Sequence, residues 1–470
     1  MSGKITRSPS PSEVGIPMFT RRNIVVGGSV LSLAALLAAC GSDEKSSDPT
    51  TAGTAAPSGD STATTAGGST ETTGAGAPTG DLGEVTLGGI FTDDVPNRAI
   101  LAAIATTGLD VKINSVDRDS WVQNFNTYLQ QPDDVMGWNA GYRMRAFASK
   151  GAVGDVSDVW ETIGPEFGEG FKSASTGLDG KQYFIPYTFY PWGIFYRKSL
   201  WEEKGYEIPV TWDDFLVLLE KIKGDGLIPI ASSNDGGWQQ MGWFDMINMR
   251  TNGYDFHVSL MGGKESWEDD KVKAVFENWS TVLPYYQENF AARTWQEAAT
   301  SLGAKESAMF LLGSFLVSNF DPEADPEAQA IIDDIDFFAF PEINPEFGQD
   351  AVEAPIDGYM KAKSPKNPEG ANALLTAFGG AATIEAGVAI DSSVIAANSA
   401  ADTSGYTPLQ KKSAEFVSAA KYISQFLDRD TDPDFASNVV GAAFSDWLAG
   451  GSIDDVLQSV EAQKQTYTFE

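Results

Sequence analysis

From residue 84 onward, apolar positions alternate between short extended runs and stripes at helical spacing. Residues 84–91 read as a first strand and 96–107 as a first helix, with Pro96 in the first turn where its missing N–H costs nothing. Residues 111–116 predict a second strand. A second helix follows over 120–130, with Trp121, Phe125, Tyr128 and Leu129 at helical spacing, and the Pro132-Asp133-Asp134 turn leads into a third strand through Val135 and Met136. Residues 142–150 predict another helix. Strands alternating with helices imply an α/β fold with a mostly parallel sheet, whose ligands lie beyond the carboxyl ends of the strands. Trp138, Asn139 and Gly141 stand just beyond the third of them.

The most informative pattern is residues 179–234. It predicts a turn at Asp179-Gly180, an extended run ending at Pro186, an aromatic bend from Tyr187 to Trp192, a buried strand over 194–196 and a helix over 199–204. Thr211 is placed to cap a second helix, with Asp213 and Asp214 where the helix dipole favours negative charge. Trp212, Phe215, Leu216, Leu219 and Ile222 form its apolar face, and Gly224 is placed to end it. Later helices are predicted over 413–427, 434–448 and 453–463.

These motifs resemble those of the family 1 extracellular solute-binding proteins, the sugar-binding, maltose-binding-protein-like branch. The resemblance rests on Gly180, Tyr183, Ile185, Pro186 and Tyr187; on Phe195, Tyr196, Arg197 and Lys198; and on Pro209, Thr211, Trp212, Asp213, Asp214 and Phe215. A further strand and loop matches through Ala308, Met309, Gly313 and Phe315, and a turn before a helix through Ser364-Pro365-Lys366-Asn367. Two departures are that Arg197 stands where Asn is commoner and Phe315 where Trp is usual. The resemblance implies a two-lobed periplasmic-binding-protein-like fold, each lobe a mostly parallel sheet flanked by helices and joined by hinge segments. Residues 84–188 and 353–405 would form one lobe, and 189–352 and 406–470 the other. It also implies a monomeric receptor that closes on a sugar or oligosaccharide and delivers it to the permease of an ABC importer, with no cofactor, no metal and no bond made or broken.

The amino-terminal segment carries no fold signal. Thr20-Arg21-Arg22-Asn23-Ile24-Val25 has the form of a twin-arginine export signal, and the apolar run over 24–39 is too short and too interrupted to span a bilayer. Leu37-Ala38-Ala39-Cys40-Gly41 reads as a lipobox, so residues 1–39 would be removed and Cys40 lipidated, anchoring the protein to the outer face of the membrane. Residues 41–80 hold no side chain able to build a core and are expected to act as a tether of roughly 35 Å reach within the linker 40–83. Cys40 is the single cysteine, which excludes disulfides and thiolate metal sites from the folded region.

The formal charge is −33, a balance that repels phosphodiesters and argues against nucleic acid as a partner. No phosphate-binding loop or Gly-x-Ser-x-Gly elbow occurs. The single histidine, His257, is expected in a surface loop, and the run Asp428-Arg429-Asp430-Thr431-Asp432 is expected to be a solvated acidic turn, because Pro433 and Val439 stand where a calcium loop needs Gly and Glu. Sugar rings pack their C–H faces on aromatic side chains and satisfy their hydroxyls on Asp, Asn and Arg. The aromatic candidates are therefore Trp138, Tyr187, Tyr190, Trp192, Trp238 and Trp243, each next to a turn, with Phe315 from the resemblance. Asn139 and Asp357 are the polar candidates, while Trp201, Trp212 and Trp279 fall on helical core faces. A surface glycoside hydrolase or lyase, and a receptor for a peptide or polyamine, remain alternatives at this level.

Overall fold

The computed structural model describes residues 82–469; the readings at Arg21, Arg22 and Cys40 and nearly all of the tether lie outside them. β1 (Val85–Gly89) lies between β2 (Val111–Ser115) and β3 (Val135–Asn139) and runs parallel to both. After β4 (Val153–Gly154) and β5 (Ile185–Phe189) the chain bends at Tyr190-Pro191 and enters a second sheet. That sheet contains β6 (Trp192–Arg197), β7 (Ile228–Ala231), β8 (Ser307–Gly313) and β9 (Ile335–Phe338) in the order β7-β8-β6-β9. β10 (Ala351–Glu353) leads back to the first sheet, which β11 (Ile356–Ala362) and β12 (Ile395–Ala396) complete in the order β12-β5-β11-β3-β1-β2, with β4 beside β11. β13 (Tyr422–Ser424) pairs in parallel with β10, so two of the segments that pass between the lobes are bonded to each other.

Both sheets are mixed, where the alternation of strands and helices predicts mostly parallel ones. β1, β2 and β3 are parallel, and so are β7 and β8. β11 is antiparallel to β3, β4 and β5, and β6 to β8 and β9. The cause is chain crossing: a strand that returns from the other lobe enters its sheet from the opposite edge.

Local signals in residues 179–234 hold closely. Thr211 Oγ1 accepts from the Asp214 N–H at 3.2 Å, capping the helix Trp212–Gly224, whose Trp212, Phe215, Leu218, Leu219 and Ile222 are buried. The buried strand is longer than its apolar centre suggests, because all six residues of β6 are buried. Arg197 is accommodated at its end by Asp334, whose Oδ2 accepts from Nε at 2.8 Å, and by the Gly303 carbonyl. Trp201, Trp212 and Trp279 are core residues.

Three expectations are corrected. Residues 413–427 are not one helix: the helix Pro408–Ala419 ends, and Tyr422 turns out to stack on Tyr254 at 4.7 Å while β13 bonds to β10. His257 is fully buried in the helix Tyr254–Met261, its Nδ1 3.1 Å from Asn248 Nδ2, and burial lowers its pKa to about 4. Its polar neighbours suggested a loop, but Phe256, His257, Leu260 and Met261 form the inward face. Residues 428–431 are not a solvated turn either, since Asp428, Arg429 and Thr431 are buried.

Candidate ligand-binding site

One cavity of about 480 Å³ lies between the two lobes. The first lobe lines it with residues following the carboxyl ends of its parallel strands: Phe91 and Asp93 after β1, Asp117 and Arg118 after β2, and Trp138 and Asn139 at the end of β3. The second lobe does the same with Trp238 after β7 and Phe315 after β8. Antiparallel strands offer their opposite ends at the same edges. Trp192 opens β6 and pairs with Gly313, and Asp357 near the start of β11 pairs with Asn139. The strand-end rule thus selects the lining residues in both lobes.

The polar part centres on Asp357. Its Oδ1 accepts from Asn139 Nδ2 and from Arg429 Nη1, each at 2.9 Å, leaving Oδ2 without a protein donor among the described residues. Arg429 Nη2 donates to the Tyr190 hydroxyl at 2.8 Å. Burial by itself would lower the pKa of the Arg429 guanidinium, and Tyr190, Asp357 and Asp428 around it more than offset this and raise it. Burial is the main cause that raises the Tyr190 phenol, which therefore keeps its proton as a donor. The unbroken register between β11 and β3 sets Asp357 opposite Asn139, while on the other side of β11 the pairing with β5 shifts at a β-bulge between Asp357 and Gly358. A Cβ at Gly358 would lie 2.0 Å from the Ile185 carbonyl, so the bulge requires glycine.

An aromatic wall faces this group. Trp192 stacks on Phe426 at 4.8 Å and meets Trp238 edge-on at 6.5 Å; Phe315 makes edge contacts with Tyr190 and Trp295 at 5.3 Å each. The Arg118 guanidinium lies 4.4 Å over the Trp238 ring. A Cβ at Gly242 would fall 2.3 Å from the Trp192 ring, so the helix Met241–Asn252 leaves that space to the indole. Phe426 holds φ at +111°, a region costly for any side chain. Its neighbours hold it there: the Leu427 N–H donates to Asp245 Oδ2 at 2.7 Å and the Gln425 N–H to Asp430 Oδ2 at 2.9 Å.

Eight of the nine sequence candidates come together here: Trp138, Asn139, Tyr187, Tyr190, Trp192, Trp238, Phe315 and Asp357 all line the cavity. Trp243 is not brought there. It lies inside the helix Met241–Asn252, 3% exposed, against Tyr286 and Phe340, because the turn presumed beside it is already helical. Tyr187 sits within β5 rather than at a bend and packs edge-on to Tyr359 at 5.4 Å. Asp357 is the second residue of β11. Trp138 is stacked on Phe125 at 3.7 Å, so one ring face is already covered. Arg118, Trp295, Phe426 and Arg429 were missed. The only sequence signal for Arg429 and Phe426 was an arginine and an aromatic beside an acidic run, which local pattern assigns to solvent.

Among the described residues no cluster of three or more His, Cys, Asp or Glu is placed to hold a metal ion. The carboxylates near the cavity instead meet arginines: Asp428 Oδ2 lies 3.3 Å from Arg143 Nη2 and 3.9 Å from Arg118 Nη2.

Comparison with known proteins agrees with this architecture. The bacterial solute receptor AcbH, described as having an exclusive substrate preference for β-D-galactopyranose, is 36% identical with a TM-score of 0.79, over 82% of this chain and 99% of AcbH. An ABC transporter extracellular-binding protein of Pyrococcus horikoshii is 28% identical over 207 residues, 43% of this chain and 47% of that protein. A probable sugar-binding periplasmic protein of Mesorhizobium japonicum is 26% identical over 190 residues, 38% of this chain and 44% of the relative. The chain thus spans about half the length of these two relatives. Residues 95–384, more than half of the chain, match the model of the bacterial extracellular solute-binding proteins, and the chain belongs to that family.

Proposed function

We propose that this chain is an exported, lipid-anchored receptor of an ABC importer that binds a sugar between its lobes, with β-D-galactopyranose the foremost ligand. Residues 84–188 and 353–405 move as one body and 189–352 and 406–470 as the other. Closure on the sugar is the state the permease reads, and the free energy of binding holds it. No bond of the ligand is broken. One observation carries the reading: an aromatic wall contributed mainly by the second lobe faces an Asn139-Asp357-Arg429 hydrogen-bonded group, which is the pairing of apolar face and hydroxyl partners that a pyranose requires. Near-complete coverage of AcbH supports galactopyranose within that class.

The test is a thermal-shift screen against neutral monosaccharides, oligosaccharides, peptides and polyamines, with chromatography of each mixture for products. A ligand at a hundred times its dissociation constant adds about 2.7 kcal/mol of stability. Stabilisation by D-galactose with the sugar recovered intact supports the reading. Stabilisation by a peptide or polyamine alone, or cleavage of an oligosaccharide, overturns it.

A further inference from the structure

The 3-10 helix Ser314–Asn319 follows β8 in the second lobe and carries Phe315 and Ser318 into the cavity wall. It is tied to the first lobe at its start and just beyond its end. Ser314 Oγ donates to the Ser393 carbonyl at 2.5 Å. Asp321 receives both arms of the Arg98 guanidinium, Nη1 to Oδ2 and Nη2 to Oδ1, at 2.8 Å each. A second carboxylate, Glu323 Oε2, lies 3.4 Å from Arg98 Nε. Arg98 lies on the helix Asp94–Thr107, whose Pro96, Ala99 and Ile100 line the same cavity, while neither Arg98 nor Asp321 lines it.

The pairing joins residues 223 apart in sequence, on opposite lobes. A bidentate guanidinium–carboxylate contact demands planar alignment as well as distance, so it exists only over a narrow range of lobe positions. Asp321 is preset for it by its own turn, since Oδ1 also accepts from the Glu323 N–H at 2.9 Å. The Arg98 side chain is 30% exposed and that of Asp321 13%, shielded enough to exceed a loose surface pair without the desolvation cost of a dry one.

We propose that Arg98 and Asp321, backed by Glu323, form an ionic clasp across the cleft that sets the balance between closed and open states and the residence time of whatever the cavity holds. Closure on a sugar is taken from the proposed function, and the clasp is therefore tested both without and with ligand. Opening breaks the pair and separates its charges into solvent; binding from the open state does not involve it. Its loss should raise the dissociation rate, and the association rate only by as much as the open fraction of the empty protein grows.

The ligand-free arm compares small-angle scattering of wild type, Arg98→Ala, Asp321→Asn and the double variant. The clasp predicts a larger radius of gyration in every variant. Wild type alone should expand as salt rises from about 0.01 M to about 1 M, over which the screening length falls from roughly 30 Å to roughly 3 Å. The second arm follows D-galactose release by stopped-flow tryptophan fluorescence. Each single variant should release roughly three- to tenfold faster, and the double variant no faster than the worse single one, because both remove the same contact. Arg98→Lys should fall between wild type and Arg98→Ala. Identical scattering together with unchanged release rates overturns the clasp, as do independent, multiplying effects of the two changes. Failure of D-galactose to bind wild type counts against the proposed ligand, and the scattering comparison then decides the clasp.

Discussion

Arg429 Nη1 meets Asp357 Oδ1 at 2.9 Å, although 72 residues separate them in the chain. One stands in a short acidic segment near the carboxyl end and the other at the start of β11, so the contact fixes the late segment against the first lobe's sheet. The same guanidinium reaches Tyr190 at the bend between the two sheets. A single side chain thus joins three segments at the edge of the cavity.

Arg429→Lys tests that junction. Lysine keeps the charge but replaces a planar fork by one ammonium, which cannot serve Asp357 and Tyr190 together. Loss of one charge-assisted hydrogen bond, about 1.5–3 kcal/mol, should weaken sugar binding roughly ten- to hundredfold. Titration calorimetry of the two proteins decides it, and equal affinities would remove Arg429 from the site.

Trp192 and Trp238 should separate by their burial. Trp192 is 2% exposed, stacked on Phe426 and fitted over Gly242, so Trp192→Ala should cost about 3–5 kcal/mol of stability as well as affinity. Trp238, 8% exposed beneath Arg118, should lose less stability and about 1.5–2 kcal/mol of binding from the sugar face it covers. Melting curves and fluorescence titrations of both variants provide the comparison. A stability loss for Trp238→Ala with affinity unaltered would make it a packing residue alone.

His257 gives the pH dependence a definite sign. Its folded pKa of about 4 lies below the ordinary 6.5, so the unfolded chain takes up the extra proton first. The contribution of the neutral ring is complete above pH 6.5 and is lost as pH falls toward 4, by about 3 kcal/mol in total. Asp245 and Glu353 are buried nearby with pKa values raised chiefly by burial, and their contribution runs oppositely, fading as pH rises above the ordinary carboxylate range. Urea unfolding of wild type beside His257→Gln isolates the imidazole. The wild type should lose stability more steeply between pH 6.5 and 4, and parallel curves would contradict a neutral buried ring.

Export and anchoring are tested in cells. Cys40→Ala should release the protein from membranes, and Arg21→Lys with Arg22→Lys should leave precursor in the cytoplasm. Fractionation followed by mass analysis of the mature amino terminus reads both outcomes, and an unmodified, wholly released wild type would end the lipid-anchor proposal.

What was legible in the sequence was local. Thr211 two residues after Pro209, the apolar face from Trp212 to Ile222 and the aromatic cluster from Tyr187 to Trp192 each specify an element or a cavity wall through contacts close in the chain. The missing parts depend on partners far away. Arg429 and Asp428 are buried because Asp357, Arg143 and Tyr190 meet them there, and nothing near residue 428 announces that. His257 is buried, with its pKa lowered, because helix packing excludes water, and Trp243 is core because Tyr286 and Phe340 cover it. Strand direction was misjudged for the same reason, since the return of β11 from the other lobe sets its orientation.

The most direct measurement is a calorimetric titration of the purified protein with D-galactose, followed by small-angle scattering of the empty and saturated forms. Saturable binding at one site per chain is expected, lost or strongly weakened in Arg429→Lys, with a smaller radius of gyration at saturation. Absence of binding heat with D-galactose and the other neutral sugars of the screen, or binding with an unchanged scattering profile, would contradict a sugar receptor that signals by closing its lobes.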